Sequence, residues 1–193
     1  AGDVKTLGQP DMVIVPGSKN TMSDLKWMRQ NGMEAAILKL AAANVPVLGI
    51  CGGYQMLGES IEDPDGEEGG GSLHGMGLLP VRTVFGKEKV QTRVTGEILQ
   101  NPGAGDGLFA ALSGSVFSGY EIHMGHTTGN GKNSFSRIRT LTNGSTEAEE
   151  DWQADGAVCG NVAGTYVHGL FEDGSLTKNL CGALLSRFLF WKA

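Results

Sequence analysis

The chain has 193 residues, 40% of them hydrophobic and 19% charged, with a net charge of −6 at pH 7. That length suits one well-filled domain and falls short of two ordinary ones. The acidic balance offers nucleic acid no footprint, no apolar run reaches bilayer length, and the N-terminus lacks the basic and apolar regions of a signal peptide. Three cysteines, Cys51, Cys159 and Cys181, are an odd set without CxxC spacing. They indicate neither a disulfide framework nor a zinc site, and they fit a reducing cytoplasm.

In chain order, Asp11–Val15 is a short apolar run closed by Pro16-Gly17, which predicts a buried parallel strand running into a loop. Thr21 to Ala43 has helical spacing, interrupted at Gly32 into two pieces. Val45–Ile50 reads as the second strand, and Gly52 to Ser60 as the helix after it, the rhythm of a βαβ unit. Glu62 to Gly75 is acidic and glycine-rich and predicts a mobile loop. Strand-like pieces follow at Leu78–Phe85, Lys89–Ile98, Tyr120–Met124, Phe135–Leu141, Gly156–Cys159 and Val162–Val167, with an exposed polar loop over Asn143–Gln153. Ser175 to Trp191 reads as a closing helix with Ser175 as N-cap and Leu176, Leu180, Leu184 and Phe188 on its apolar face. One α/β domain results, a parallel core extended by antiparallel strands.

The chemistry centres on Cys51. An apolar strand ends in this cysteine, two glycines follow, and a helical pattern begins, which is how a nucleophile is placed at a tight strand-to-helix turn. Glycines let the backbone bend where a side chain would clash, and a helix N-terminus favours negative charge on sulfur. The expectation is a thiolate more populated and more exposed than in an ordinary cysteine. His168 follows the apolar run Gly164–Val167 and stands at a strand end, where a base would enter a cleft; a histidine merely capping a strand reads equally well. His74 falls in the glycine-rich loop and is expected to be solvated. His123 and His126, near Glu121, either line the cleft or are ordinary exposed strand residues, since His-x-x-His on a strand is weak metal spacing. Gly17 and Ser18, in the loop Pro16–Asn20, can bring backbone N–H groups to an oxyanion. Neither G-x-x-x-x-G-K-[ST] nor a strand-following G-x-G-x-x-G is present, so the chain shows no ATP or dinucleotide motif.

The run Gly49-Ile-Cys51-Gly-Gly-Tyr-Gln55 resembles the nucleophile elbow of the triad-type (class I) glutamine amidotransferases, and His168 matches that superfamily's histidine after a late strand. More narrowly, PGSKNT (Pro16–Thr21), CGGYQMLG (Cys51–Gly58), GYEIHMG (Gly119–Gly125) and GTYVHGLF (Gly164–Phe171) resemble, in the same order, the amidotransferase domains of the cobyric acid synthase family. The resemblance implies a flavodoxin-like α/β fold, with a mostly parallel central sheet, helices on both faces and an antiparallel extension. It also implies that residues 1–193 form one glutamine amidotransferase domain, the C-terminal part of a longer synthetase.

By that resemblance, Cys51 attacks the side-chain amide of L-glutamine, and the N–H of Gly52 with one from the Gly17 loop holds the oxyanion. His168 protonates the leaving ammonia, and Gln55 helps to hold the substrate. The domain carries no metal or cofactor of its own. ATP and Mg belong to a synthetase domain of the same polypeptide, which amidates a corrinoid acceptor in cobalamin biosynthesis without nucleic acid or membrane as partner. Two departures stand out. The superfamily's glutamate two residues after the histidine is here Leu170, so another acceptor, such as a backbone carbonyl, must orient His168. Glu172 would face the wrong way if Gly169–Phe171 stays extended. The synthetase half is also missing, so the chain is expected to be an excised domain. Alternative readings are the amidotransferase subunit of a lipid II isoglutaminyl synthase, a cobyrinic acid a,c-diamide synthase, or a non-catalytic scaffold of this fold.

Overall fold

The computed structural model describes residues 2–100, 107–129, 131, 133–141, 152–172 and 174–191. A single helical turn, α1 (Val4–Leu7), precedes the first strand, β1 (Val13–Val15). Helices α2 (Thr21–Gln30) and α3 (Met33–Ala42) follow and are separated at Gly32, whose φ of 75° is a left-handed conformation that glycine adopts without strain. Asn20 caps α2 by accepting the Ser23 N–H, and Arg29 pairs with Glu34 at 2.6 Å across the break.

Strand β2 (Val47–Ile50) pairs in parallel with β1 and leads into helix α4 (Gly52–Leu57). A hairpin, β3 (Ser60–Asp63) and β4 (Gly71–His74), comes next, followed by the long strand β5 (Arg82–Ile98). Helix α5 (Leu108–Ala111), strands β6 (Val116–Thr128), β7 (Ser136–Thr140), β8 (Gln153–Asp155), β9 (Ala157–Cys159), β10 (Val162–Thr165) and β11 (Val167–His168), and helix α6 (Ser175–Trp191) complete the chain.

Two sheets result. The first has the order β1-β2-β10-β9, with β1, β2 and β10 parallel and β9 antiparallel. The second runs β11-β6-β5-β3-β4, with β7 and β8 added at β5, and is antiparallel apart from the β3–β5 pair. Alternate residues of β2 and β10 enter different cores, which is why those strands are apolar throughout, whereas Ile14 of β1 is exposed. Val13, Val15 and Val47 pack with Met22, Leu25, Met33 and Ile37 of α2 and α3. Leu48 and Ala163 pack on the other face with Leu108 of α5 and Leu176 and Leu180 of α6. Helices therefore cover both faces of the parallel core.

Several expectations change. Glu62–Gly75 is a hairpin rather than a loose loop, because buried Asp63 accepts the N–H groups of Glu67, Glu68 and Gly70 at 2.8, 2.7 and 2.8 Å. One carboxylate there supplies the backbone acceptors that an acidic, glycine-rich composition seemed unable to provide. The strands expected at Leu78–Phe85 and Lys89–Ile98 are largely one strand, with an irregular register between Phe85 and Val90. Val162–Val167 is two strands in different sheets, divided at Tyr166. Of the polar loop expected at Asn143–Gln153, residues 143–151 lie outside the described residues, and Gln153 already belongs to β8. On α6, Leu176, Leu180 and Leu184 face the core as expected, while the side chain of Phe188 lies outside the described residues. Among the described residues no helix is long and apolar enough to cross a membrane.

Candidate active site

Cys51 occupies the turn between β2 and α4 with φ at 51°, one of two non-glycine residues with positive φ among those described. Such a backbone costs about 1–3 kcal/mol and persists only where its surroundings over-determine it. Here the Cys51 N–H donates to the Thr165 carbonyl at 2.8 Å, and the Gln55 N–H donates to the Cys51 carbonyl at 3.1 Å. The second glycine of the pair is required by close approach. A Cβ on Gly53 would collide with the Val15 carbonyl oxygen and lie 2.6 Å from its carbon. The elbow therefore packs backbone to backbone against the end of β1, which lays the Pro16–Asn20 loop alongside it.

That loop brings three of the expected residues together. A Cβ on Gly17 would lie 2.9 Å from His168 Cε1, 3.7 Å from His168 Nδ1 and 3.6 Å from Cys51 Cβ. Gly17 thus separates the thiol-bearing residue from the imidazole with backbone alone. Gly52 lies against the same loop, where a Cβ would be 2.9 Å from the Ser18 nitrogen and 3.1 Å from Thr21 Oγ1. The Gly52 N–H faces the Cys51 sulfur and favours its ionised form.

The thiol does not rest as the sequence suggests. Cys51 is only 9% exposed, and its Sγ donates to the Ile122 carbonyl of β6 at 3.3 Å. Burial pushes the Cys51 thiol up, the Gly52 N–H opposes this, and the Glu68 carboxylate adds to the rise. The expected exposed thiolate is therefore corrected: four-residue β2 and short α4 are both buried, and desolvation outweighs the helix N-terminus.

His168 ends β11, paired opposite Tyr120 of β6. Among the described residues its ring has no hydrogen-bond partner. Leu170, in the place of the superfamily's glutamate, is 1% exposed and packs in the core with Leu176 and Leu180. The segment does not stay extended. Gly169 has φ at 76°, the Glu172 N–H donates to the Gly169 carbonyl at 3.0 Å, and a Cβ on Gly169 would lie 3.3 Å from Glu172 Oε1. The turn folds the Glu172 carboxylate back over the residue that follows the imidazole, so the condition that turned it away does not hold.

Gln55 lies behind the elbow and is 2% exposed. Thr21 Oγ1 donates to its Oε1 at 3.2 Å, and its Nε2 donates to the Tyr166 hydroxyl at 3.3 Å. Burial pushes Tyr166 up to about 12, and the Cys51 side chain adds to this rise. His123 stacks on Tyr166 at 3.8 Å between ring centres; its Nε2 meets Glu121 Oε1 at 3.0 Å and its Nδ1 the Gly125 carbonyl at 2.7 Å. His123 is thus a half-buried wall of this network, while His126 and His74 are exposed. Among the described residues no group of three or more His, Cys, Asp or Glu could hold a metal ion.

Two carboxylates were missed by sequence reasoning. Asp155, on β8, accepts from Ser136 Oγ at 2.7 Å, Thr165 Oγ1 at 2.5 Å and the Tyr166 N–H at 3.0 Å, and so fixes the segment that leads to His168. Burial pushes its carboxyl up against those three donors. Glu68 accepts the Met22 N–H at 2.9 Å, at the start of α2. Neither position belongs to a motif with a known spacing, and only the fold places them. A cavity of about 320 Å³ is lined by Gly17 and Ser18 of the loop together with Val15, Trp27, Met28 and Met56, and Cys51 and His168 do not line it.

The chain resembles known proteins in both sequence and fold. Residues 2–176 match the family described as the CobB/CobQ-like glutamine amidotransferase domain. A cobyric acid synthase from Ruminiclostridium cellulolyticum is 51% identical over 180 residues, which is 93% of this chain and 34% of that protein. Others from Lachnoclostridium phytofermentans and Yersinia enterocolitica are 44% and 45% identical, over 95% of this chain and 36% and 35% of theirs. The chain thus spans about a third of the length of these curated relatives. Among solved structures, a glutamine amidotransferase superposes with a TM-score of 0.53 at 18% identity, covering 95% of this chain and 84% of its own. PurLQS from Thermotoga maritima does so with a TM-score of 0.57 at 17% identity, covering 92% and 80%, and at such identities the likeness concerns fold alone. With the glycine-bounded cysteine turn, the loop against it and the matched sequence over nearly its whole length, the chain belongs to the CobB/CobQ-like glutamine amidotransferase family.

Proposed function

We propose that this chain hydrolyses the side-chain amide of L-glutamine at Cys51 and supplies the ammonia to an ATP-dependent synthetase domain of the same polypeptide. The observation that carries the reading is the placement of Gly17, within 2.9 Å of His168 Cε1 and 3.6 Å of Cys51 Cβ from a Cβ position on it. A nucleophile, an imidazole and backbone donors meet there at one turn. Glutamine enters, the Cys51 thiol leaves the Ile122 carbonyl, and its proton passes to His168. The sulfur attacks the amide carbon, and the negative charge that develops on oxygen is met by the N–H of Gly52 and one from the Gly17 loop. The carbon–nitrogen bond breaks as His168 protonates the departing amine, which releases ammonia and a Cys51 thioester. Water then attacks the thioester carbonyl, gives a proton to His168 and frees glutamate and the thiol.

The raised resting thiol fits this order of events. A buried, protonated Cys51 is protected until substrate displaces it toward the imidazole, and the energy of binding then offsets ionisation. Gln55 acts in this scheme from behind the elbow, setting Thr21 and Tyr166 against it. The chain itself needs no metal or cofactor. ATP and Mg act in the synthetase, where ammonia amidates corrinoid carboxylates in the cytoplasm; the three cobyric acid synthase relatives, of which this chain spans about a third, support the presence of a further domain. Replacing Cys51 by alanine tests the reading. Ammonia release and a thioester-linked mass increment on glutamine should both vanish, with folding kept; glutaminase activity that survives in the Cys51→Ala protein sinks it.

A further inference from the structure

His123 is bound at both ends of its ring to the strand that carries it. Its Nδ1 lies 2.7 Å from the Gly125 carbonyl and its Nε2 3.0 Å from Glu121 Oε1, two residues ahead and two behind. A carbonyl only accepts, so Nδ1 carries a proton. A second proton bridges Nε2 and the Glu121 carboxyl, whichever of the two atoms holds it. The ring is thereby locked in one orientation. The side chains of His123 and Glu121 are 11% and 18% exposed, so water competes poorly for either contact.

This clamp falls where the ladders support β6 least. Strand β11 pairs with β6 through Tyr120 and Glu121, and the register of β5 breaks between Phe85 and Val90, opposite Met124. Both reacting groups of the site hang on the stretch next to the clamp. His168 is paired with Tyr120, and the Ile122 carbonyl holds the Cys51 thiol at 3.3 Å. Tyr120 and Ile122 are two residues apart, so β6 sets the separation of thiol and imidazole from this side.

The face of β6 that carries His123 also holds the rear of the elbow. Residues 121, 123, 125 and 127 share that face, because strand side chains alternate. Tyr166 lies along it, with its ring stacked on His123 at 3.8 Å and its hydroxyl bonded to Thr127. Gly125 leaves the room in which Gln55 reaches the Tyr166 hydroxyl, since a Cβ there would collide with Gln55 Nε2. Packing alone does not explain His123. A phenylalanine ring would fill the space against Tyr166 equally well and would need neither polar contact.

We propose that His123 is a positioning residue: with Glu121 it clamps β6, so that Ile122 and Tyr120 hold Cys51 and His168 at their working separation. The inference rests on the reading of Cys51 as a glutamine-cleaving nucleophile. The clamp has a signature that packing lacks. Its removal lowers turnover and at the same time frees the resting thiol, because one strand serves both groups.

The test measures ammonia release, alkylation of Cys51 by iodoacetamide at one fixed pH without substrate, and urea unfolding. It uses the full-length protein and its His123→Phe, His123→Gln and Glu121→Gln variants. His123→Phe keeps a ring against Tyr166 and loses both polar contacts. Loosening of the strand by about half an ångström should lower kcat about tenfold and leave KM nearly unchanged. Loss of the fixed acceptor should speed alkylation of Cys51 about threefold to tenfold, with the urea midpoint close to wild type. Glu121→Gln, whose amide donates to Nε2, should stay near wild type in both readouts. Where His123→Phe does not fold, His123→Gln carries the same expectations. A folded His123 variant with wild-type kcat or wild-type alkylation overturns the proposal, and so does a Glu121→Gln protein as impaired as His123→Phe. If the wild-type protein releases no ammonia from glutamine, the glutaminase reading falls instead, and alkylation still decides whether His123 holds the acceptor of the thiol.

Discussion

Gly17→Ala is the sharpest probe of the site, because the structure places its new methyl group against one catalytic candidate and little else. The Cβ would lie 2.9 Å from His168 Cε1, while the Cys51 Cβ at 3.6 Å and His168 Nδ1 at 3.7 Å are at ordinary contact. Carbon atoms pack at about 3.5 Å, so the imidazole must retreat by about half an ångström. The backbone need not follow, since Gly17 is not among the residues with positive φ and the obstacle is the edge of a side-chain ring. Replacing glycine at a compatible position also narrows the unfolded ensemble, worth about 0.4–1 kcal/mol. Stability should therefore stay within about 1 kcal/mol of wild type. Catalysis should not: a misplacement of about 1 Å costs about 10²-fold in rate, so half of that should cost about tenfold. Gly53→Ala is the contrast, since its methyl would meet the Val15 carbonyl and backbone would have to yield. There, stability should drop by about 3 kcal/mol together with activity. Glutaminase rates by ammonia release and urea unfolding on both variants decide the matter. A Gly17→Ala protein with wild-type turnover, or one destabilised like Gly53→Ala, would falsify this account of the loop.

Alkylation by iodoacetamide, followed by peptide mass, should modify exposed Cys159 and Cys181 before Cys51 at neutral pH. Cys51 should react only as pH climbs past the ordinary thiol range, because burial raises it, and at lower pH in Glu68→Gln; rapid labelling of Cys51 near neutrality would contradict the resting state. Cys159→Ser and Cys181→Ser should keep full turnover. Two buried aspartates should give pH dependences of opposite sign. Burial raises the Asp63 carboxyl, but the N–H donors of Glu68, Gly70, Glu67 and Gly66 outweigh it and hold it below its usual range. Its contribution is present above the unfolded value of about 3.9 and fades as pH falls through the lower folded value. The Asp155 carboxyl is raised by burial, so its contribution is full in acid and fades as pH rises from about 3.9 through the higher folded value. Urea midpoints across pH should lose the first slope in Asp63→Asn and the second in Asp155→Asn; slopes left intact would refute the assignments.

The sequence makes the local features of this site legible and hides the non-local ones. The elbow is readable because close approach and a sharp turn demand glycine on both sides of Cys51, and the break at Gly32 is readable for a similar backbone reason. His168 stands out by its place after an apolar strand, where a histidine capping the strand reads equally well. The chemistry of Cys51 is not readable, since a helix N-terminus is visible in sequence while the burial that overrides it comes from strands far along the chain. Glu62–Gly75 misleads because its composition forbids a core, yet a single buried Asp63 orders it through backbone N–H groups. Glu68 and Asp155 lie in stretches without pattern, and each acquires its partners only across the fold, through Met22 in one case and through Ser136, Thr165 and Tyr166 in the other.

The division of the site between two sheets explains why a buried carboxylate stands behind it. Cys51 follows a strand of the parallel sheet, whereas His168 ends a strand of the antiparallel one. A slip of one sheet over the other by about 1 Å would part Cys51 from His168, which on the proposed chemistry costs about 10²-fold in rate. Asp155 binds across this seam, taking Ser136 from the antiparallel sheet and Thr165 from the parallel one, with Tyr166 at the crossing between them. Thr165 is also the residue whose carbonyl holds the Cys51 N–H. Any slip would strip donors from a buried acceptor, at about 1–3 kcal/mol for each group left unsatisfied. On the far side of His168 the seam is closed by Leu170 in the core rather than by a carboxylate in the cleft. The imidazole is thus positioned chiefly by the backbone that carries it, and the rigidity of that backbone originates at Asp155.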